Sequence, residues 1–251
     1  MKNKILSQNK ASWDAIADDW FGTTALPAYG VMIPNEDQLG LFGEIAGKRV
    51  LDIGCGSGHS LKYHGDHGAA ELWGLDISTK QIENAQRLLT ESGYNPKLFI
   101  SPMEENPGIP TGYFDIVYSV YAIGWTVDME KTIALMASYL KKDGILVFSW
   151  DHPFMHCVDI EGEQVIFSGS YFEKEPFSFE KGGNPVTLYN RRLSDYINAL
   201  AKAGFMVEQL IEETDQDALE REGAFRSNYY SPIKARKFPL SFVLKARKVL
   251  D

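Results

Sequence analysis

The chain has 251 residues, 44% hydrophobic and 24% charged, with 34 acidic side chains against 25 basic. That length can bury a large core and that composition excludes global disorder. A net charge of −9 argues against a nucleic-acid partner, because phosphate neutralisation needs a basic surface. Cys55 and Cys157 supply neither a disulfide framework nor a zinc-ligand spacing, and read as reduced thiols. No metal-ligand cluster is visible. The N-terminus turns polar without a signal-peptide core, and no stretch approaches the ~18 apolar residues of a membrane span. The expectation is a soluble, cytoplasmic chain with no membrane partner. Its oligomeric state is not legible.

Residues 1–25 predict an amphipathic helix, with Trp13, Ile16, Ala17 and Trp20 at helical spacing. The tryptophans either pack on a core, the preferred reading, or cover a ligand. Breakers follow, with a short apolar helix near 39–45. Residues 49–54 read as a buried strand ending in glycine, and a helix follows over 58–68. A second strand spans 72–76. Ser78 then resembles an N-cap, with Gln81 completing a capping box. Strands follow at 97–100 and 114–120. A helix over 129–140 is expected to close on Lys141, Lys142 and Gly144 as a C-terminal cap. A fifth strand spans 145–150.

Residues 151–190 break the rhythm, with a candidate hairpin between 165–171 and 185–190. A helix at 193–203, a Gly204 stop and strands at 206–211 and 238–245 complete the chain. Strands alternating with helices predict an α/β, Rossmann-like doubly wound sheet, mostly parallel with an antiparallel last strand. We expect a single domain over 1–251. Residues 1–45 form an N-terminal helical cap, and 151–190 an insertion that serves as a substrate lid.

The strongest signal is Asp52-Ile53-Gly54-Cys55-Gly56-Ser57-Gly58, a strand entering a glycine turn that opens a helix. Glycine lets the backbone turn tightly and a ligand approach with no Cβ in the way. Asp76 closes the next strand, where a carboxylate can accept hydrogen bonds from both ribose hydroxyls. The pair describes an adenosine-like ligand. A dinucleotide site needs G-x-G-x-x-G, and here His59 stands where its last glycine belongs.

The run resembles motif I of the class I S-adenosylmethionine-dependent methyltransferases of the small-molecule type. Asp76, the segment after the third strand, the fourth strand at 114–119, the turn at 140–146 and Ala203-Gly204-Phe205 follow in the family's order. The resemblance implies S-adenosyl-L-methionine as cofactor. Asp52, Gly54, Cys55, Gly56 and Gly58 would position its methionine part, and Asp76 would hold the ribose. Ile77 and Met103 would face the adenine, with Glu104 accepting from its amino group. Ser119, Val120 and Tyr121 would flank the sulfonium, and the Tyr29 ring would close over the amino-acid end. The family usually carries an acid directly after the third strand, whereas Ser101, Pro102 and Met103 stand before Glu104 here.

In-line displacement at a sulfonium needs mainly alignment and exclusion of water. Where the acceptor must lose a proton, His152 is the first candidate base, because histidine titrates near neutrality. Asp151, His156 and Tyr121 stand near it. His59, His64 and His67 read as structural or surface residues. Arg191 and Arg192 read as surface charge or as partners of the acids at 173–180. Arg226, Lys234, Arg236 and Lys237 could meet an anionic substrate, but the preferred reading is a solvated face beside the acidic 208–222 stretch. Tyr229 and Tyr230 beside these bases would suit base stacking in an RNA methyltransferase. The favoured function is methyl transfer to a small-molecule acceptor. The alternatives are a non-catalytic S-adenosylmethionine-binding protein, a nicotinamide-dependent oxidoreductase and an RNA methyltransferase.

Overall fold

Apolar runs bounded by glycines and caps dictate the elements seen in a computed structural model, which describes residues 1–220 and 229–250. In chain order these are α1 (Lys2–Ile16), α2 (Glu36–Leu39), β1 (Arg49–Ile53), α3 (His59–Asp66), β2 (Glu71–Asp76) and α4 (Thr79–Glu91). There follow β3 (Lys97–Ile100), β4 (Phe114–Val120), α5 (Met129–Tyr139), β5 (Leu140–Asp151), β6 (Val158–Glu161) and β7 (Gln164–Phe167). Then come β8 (Pro176–Lys181), β9 (Asn184–Tyr189), α6 (Leu193–Lys202), β10 (Phe205–Ile211), α7 (Gln216–Glu220), α8 (Pro232–Ala235) and β11 (Ser241–Lys248).

Seven strands form one sheet in the order β10-β11-β5-β4-β1-β2-β3. The ladders among β1 to β5 are parallel, and β11 runs antiparallel to both its neighbours. This is the expected doubly wound α/β sheet with an antiparallel last strand. Both faces are buried, as a parallel sheet requires. Leu51, Val117 and Phe148 pack on one face with Ile133 of α5 and Leu200 of α6. Val50, Tyr118 and Val147 pack on the other with Leu61 of α3 and Leu89 of α4. The chain order reverses between β1 and β4, so the C-terminal ends of the central strands open a crevice there.

Four expectations need correction. The early helix lies at Glu36–Leu39 rather than 39–45, because Asn35 and Gln38 form a capping box and Gly40 ends the turn at φ 59°. The 129–140 helix has no glycine cap. Leu140 is already extended and pairs with Phe114, and the next pairing is Ile116 with Ile145. Residues 141–144 are thus an irregularity within β5, with Asp143 at φ 62°. Ser78 accepts the Gln81 amide at 3.1 Å, but the reciprocal half of that box is missing. Its hydroxyl donates instead to Asp14 of α1 at 2.7 Å.

The strands foreseen at 165–171 and 185–190 do not pair with each other. β6 pairs with β7 and β8 with β9. The signal lay in the turns. Gly182 and Gly183 both have positive φ, at 56° and 73°, which is the two-residue hairpin turn that fits strand twist. α1 lies along β9: Asn9 donates to Thr187 O at 2.9 Å and accepts from Thr187 N at 2.8 Å. No helix among the described residues is long and apolar enough to cross a membrane.

Candidate active site

β1 runs into the glycine turn, and Gly54 N and Cys55 N both donate to Leu75 O, at 2.8 and 2.9 Å. The turn is therefore locked to the end of β2. At Gly54 (φ 80°) a Cβ would stand 2.5 Å from the Cβ of Ala122, just beyond β4. At Gly58 (φ 81°) it would meet Ala85 of α4 at 2.9 Å. The first and third glycines thus serve close packing, and around Gly56 the space is open. Gly54→Ala combines a left-handed alanine with overpacking, at about 2–4 kcal/mol in all. At about 2–4 °C per kcal/mol for this size, calorimetry should find the melting temperature lowered by roughly 5–15 °C.

The crevice holds a cavity of about 510 Å³. At one side Asp76 ends β2 with both carboxylate oxygens anchored: Oδ2 accepts from Gly56 N at 3.0 Å and Oδ1 from Ser78 N at 2.8 Å. Each oxygen keeps a further lone pair, the acceptor pattern a vicinal diol requires. Burial pushes this carboxyl up to about 6, against the pull of the two amides. Two buried acceptors in the wall lack partners among the described residues: Gln81 Oε1 and Glu104 Oε2. Orphaned buried acceptors call for donors from a ligand. Glu104 Oε1 is committed, accepting from Thr126 Oγ1 and Val127 N at 2.5 Å each. The residues present therefore fit an adenosine-bearing cofactor with polar groups at both ends.

At the other side stands an acid–base pair. The Tyr121 hydroxyl donates to Asp151 Oδ1 and lies 3.1 Å from Ser241 Oγ. Tyr230 donates to Asp151 Oδ2 at 3.2 Å. Burial pushes Asp151 up to about 6 although both tyrosines favour its charge, and burial beside that charge pushes the Tyr121 hydroxyl well up. Tyr121 has φ 53°, a strained value for a tyrosine, and such strain clusters at functional sites. Its amide is held by Ser149, and a Cβ on Gly30 would stand 2.4 Å from its ring. The phenol is wedged in place.

Of the residues singled out by sequence, Asp52, Gly54, Cys55, Gly56, Asp76, Ile77, Met103, Glu104, Val120 and Tyr121 line this cavity. Tyr29, Gly58, Ser119 and His152 do not. Tyr29 is wholly buried in the second core and donates to Glu36 at 2.6 Å. Ser119 donates to Ile53 O at 2.7 Å, tying β4 to β1. His152 is 2% exposed and both ring nitrogens are taken. Nε2 meets Glu212 at 2.8 Å and Nδ1 accepts from Phe154 N at 3.2 Å. Strand alternation explains the miss: Asp151 and His152 are neighbours, so when one faces the cavity the other turns away.

Trp13 and Trp20 do reach the cavity, joined by Trp125, Trp150, Phe177, Phe179 and Lys181, which sequence reasoning had not singled out. His59 also lines it, beside Ser57 at 3.0 Å, while His64 is fully buried against Phe42 and Tyr118. Arg191 is no surface charge, since it donates to Gly124 O at 3.1 Å and to Thr126 O, bracing the turn that carries Trp125. Arg192 pairs with Asp195 at 3.1 Å, not with the acids at 173–180. Lys234 is buried rather than solvated, while Arg236 and Lys237 are exposed. Arg226 lies outside the described residues.

Residues 51–148 match the model of the methyltransferase domain family. The chain is 29% identical over 234 residues to an uncharacterized protein of Haemophilus influenzae, covering 87% of this chain and 88% of that one. It is 32% identical over 139 residues to a ubiquinone biosynthesis O-methyltransferase of Aromatoleum aromaticum, covering 53% of this chain and 58% of the relative. Among solved structures it superposes on an S-adenosylmethionine dependent methyltransferase from Mesorhizobium loti, with a TM-score of 0.68 and 24% identity. That match covers 83% of this chain and 94% of the other.

Proposed function

We propose that this chain, whose residues 51–148 match the methyltransferase domain model, transfers a methyl group from S-adenosylmethionine to a small-molecule acceptor held against Tyr121 and Asp151. When bound, S-adenosylmethionine supplies a methyl group on a positively charged sulfur, open to in-line displacement. The chain's own residues do the rest. Asp76 would accept hydrogen bonds from both ribose hydroxyls, the Gly54 turn and Asp52 would hold the methionine part, and Met103 and Ile77 would flank the adenine. Asp151 receives the proton that the acceptor's nucleophile loses, and Tyr121 and Tyr230 orient the carboxylate. The tryptophans exclude water. Segments 1–45 and 151–190 act as cap and lid over one domain, with α1 bonded to β9.

The observation that carries this reading is one cavity with a diol-accepting carboxylate at one side and a buried acid–base pair at the other. A cavity of about 510 Å³ that must hold both cofactor and acceptor leaves, beside its tryptophans, room for a small acceptor rather than a polymer. The name of the Aromatoleum relative, an O-methyltransferase of ubiquinone biosynthesis, supports the same acceptor class.

The test is a thermal-shift titration with S-adenosylmethionine, S-adenosylhomocysteine and NAD in parallel. A ligand specific to the folded state adds about 2.7 kcal/mol at 100 times its dissociation constant, or several degrees. Both sulfur ligands should raise the melting temperature and NAD should not. A shift with NAD alone would overturn the reading.

A further inference from the structure

Lys181 is not used by the proton transfer or by the diol site. It ends β8, where strand alternation sets it on the same side as Phe177 and Phe179, and all three line the cavity. Its ammonium lies 3.8 Å from the ring centroid of Trp20, and 5.2 and 5.7 Å from those of Trp13 and Trp125. Three aromatic faces, two from the N-terminal segment and one from the turn after β4, hold one cation. Such faces attract the charge and leave the N–H donors unspent. Among the described residues no hydrogen bond or ion pair takes those donors. Lys181 is also the one lysine or arginine among the described residues lining the cavity. Asp151 is near enough to favour its charge, yet the two form no ion pair. Burial pushes the ammonium down to about 8, so it still carries its proton at neutral pH.

We propose that Lys181 determines acceptor specificity by receiving the carboxylate of a planar aromatic hydroxy acid, whose ring lies among the tryptophans and whose hydroxyl meets Tyr121 and Asp151. This rests on the methyl-transfer reading of the same cavity. A neutral acceptor would leave three charged donors unmet, and a cationic one would have to displace Lys181 from its aromatic cage.

The experiment follows tryptophan fluorescence of the full chain saturated with S-adenosylhomocysteine. It is titrated with 2-, 3- and 4-hydroxybenzoate, with their neutral amides, and with tyramine as the cationic probe. At least one hydroxybenzoate should quench saturably and bind ~10-fold or more tighter than its amide. Lys181→Met should reduce that preference to about one, and Lys181→Arg should keep most of it. Amide or tyramine binding equal to or tighter than the acid would overturn the proposal. So would an unchanged preference in Lys181→Met, or no saturable binding of any hydroxybenzoate. S-adenosylhomocysteine affinity, measured by calorimetry on both proteins, separates the two readings. Its absence in the parent chain sinks methyl transfer itself, whereas its presence beside a failed fluorescence test sinks only the role of Lys181. Should Lys181→Met lose cofactor affinity, Lys181→Gln replaces it, and the acid-against-amide comparison in the parent chain still decides.

Discussion

Asp151→Asn should turn over ~100-fold or more slowly than the parent chain and, at pH 8, melt several degrees higher. Positioned proton transfer is worth about 10²–10⁴ in rate, and asparagine accepts no proton. It can still accept from Tyr121, so the wedge around that ring survives. The gain in stability has a separate origin. Burial holds the Asp151 carboxyl at about 6, roughly two units above an unfolded carboxylate. The folded chain therefore binds this proton more tightly than the unfolded chain. Between about pH 4 and 6 stability falls as pH rises, and above 6 the charged group costs about 3 kcal/mol. Asparagine removes that cost, so its advantage is full above pH 6 and gone near pH 4. Parallel melting curves at pH 4 and 8 check the stability half, and initial rates of S-adenosylhomocysteine release check the other. Parent turnover should itself rise as pH climbs through about 6. An unchanged rate in the variant would remove Asp151 from the chemistry. His152→Ala should leave turnover close to the parent value, since that ring faces Glu212 rather than the cavity.

Asp76→Ala should weaken S-adenosylhomocysteine binding by ~100-fold or more in titration calorimetry. Two hydroxyls that hydrogen-bond to a charged carboxylate contribute about 1.5–3 kcal/mol each. Losing both exceeds the 2.7 kcal/mol that corresponds to a factor of 100. Alanine also strands the amides of Gly56 and Ser78, which the carboxylate holds at 3.0 and 2.8 Å. Asp76→Asn restores one acceptor and should recover part of the affinity. Because burial holds this carboxyl at about 6, parent affinity should decline as pH falls through that value. A dissociation constant unchanged in Asp76→Ala would move the ribose elsewhere in the cavity.

The sheet, and the glycine turn beside Asp76, were legible because they depend on short-range rules. A strand of β-branched and apolar residues, a glycine turn and an N-capped helix declare themselves within a dozen residues. The order of such units then leaves few topologies. The acceptor side was not legible, for physical reasons. Lys181 and Trp20 meet only because β8 and the segment after α1 fold over the same crevice, a contact that no local period encodes. Which of two adjacent residues faces a cavity depends on the phase of β5, and that phase is hidden by the irregularity at 141–144. Tyr29 looked available from its place beside Gly30, yet its hydroxyl is spent on Glu36. One clue was readable and missed: Phe177, Phe179 and Lys181 alternate along a run ending in two glycines, which announces both a hairpin and the face it presents.

The bond pair between Asn9 and Thr187 spans 178 positions of sequence. α1 precedes β1 to β5 in the chain, and its partner strand β9 follows them. Closing so long a loop is among the costlier contacts of the fold. α1 therefore cannot make these bonds until β9, which follows the five parallel strands, has been made, and until then Trp13 and Trp20 remain without the hairpin that meets them. The cavity is thus closed by two segments that lie on either side of its framework in sequence and must wait for each other.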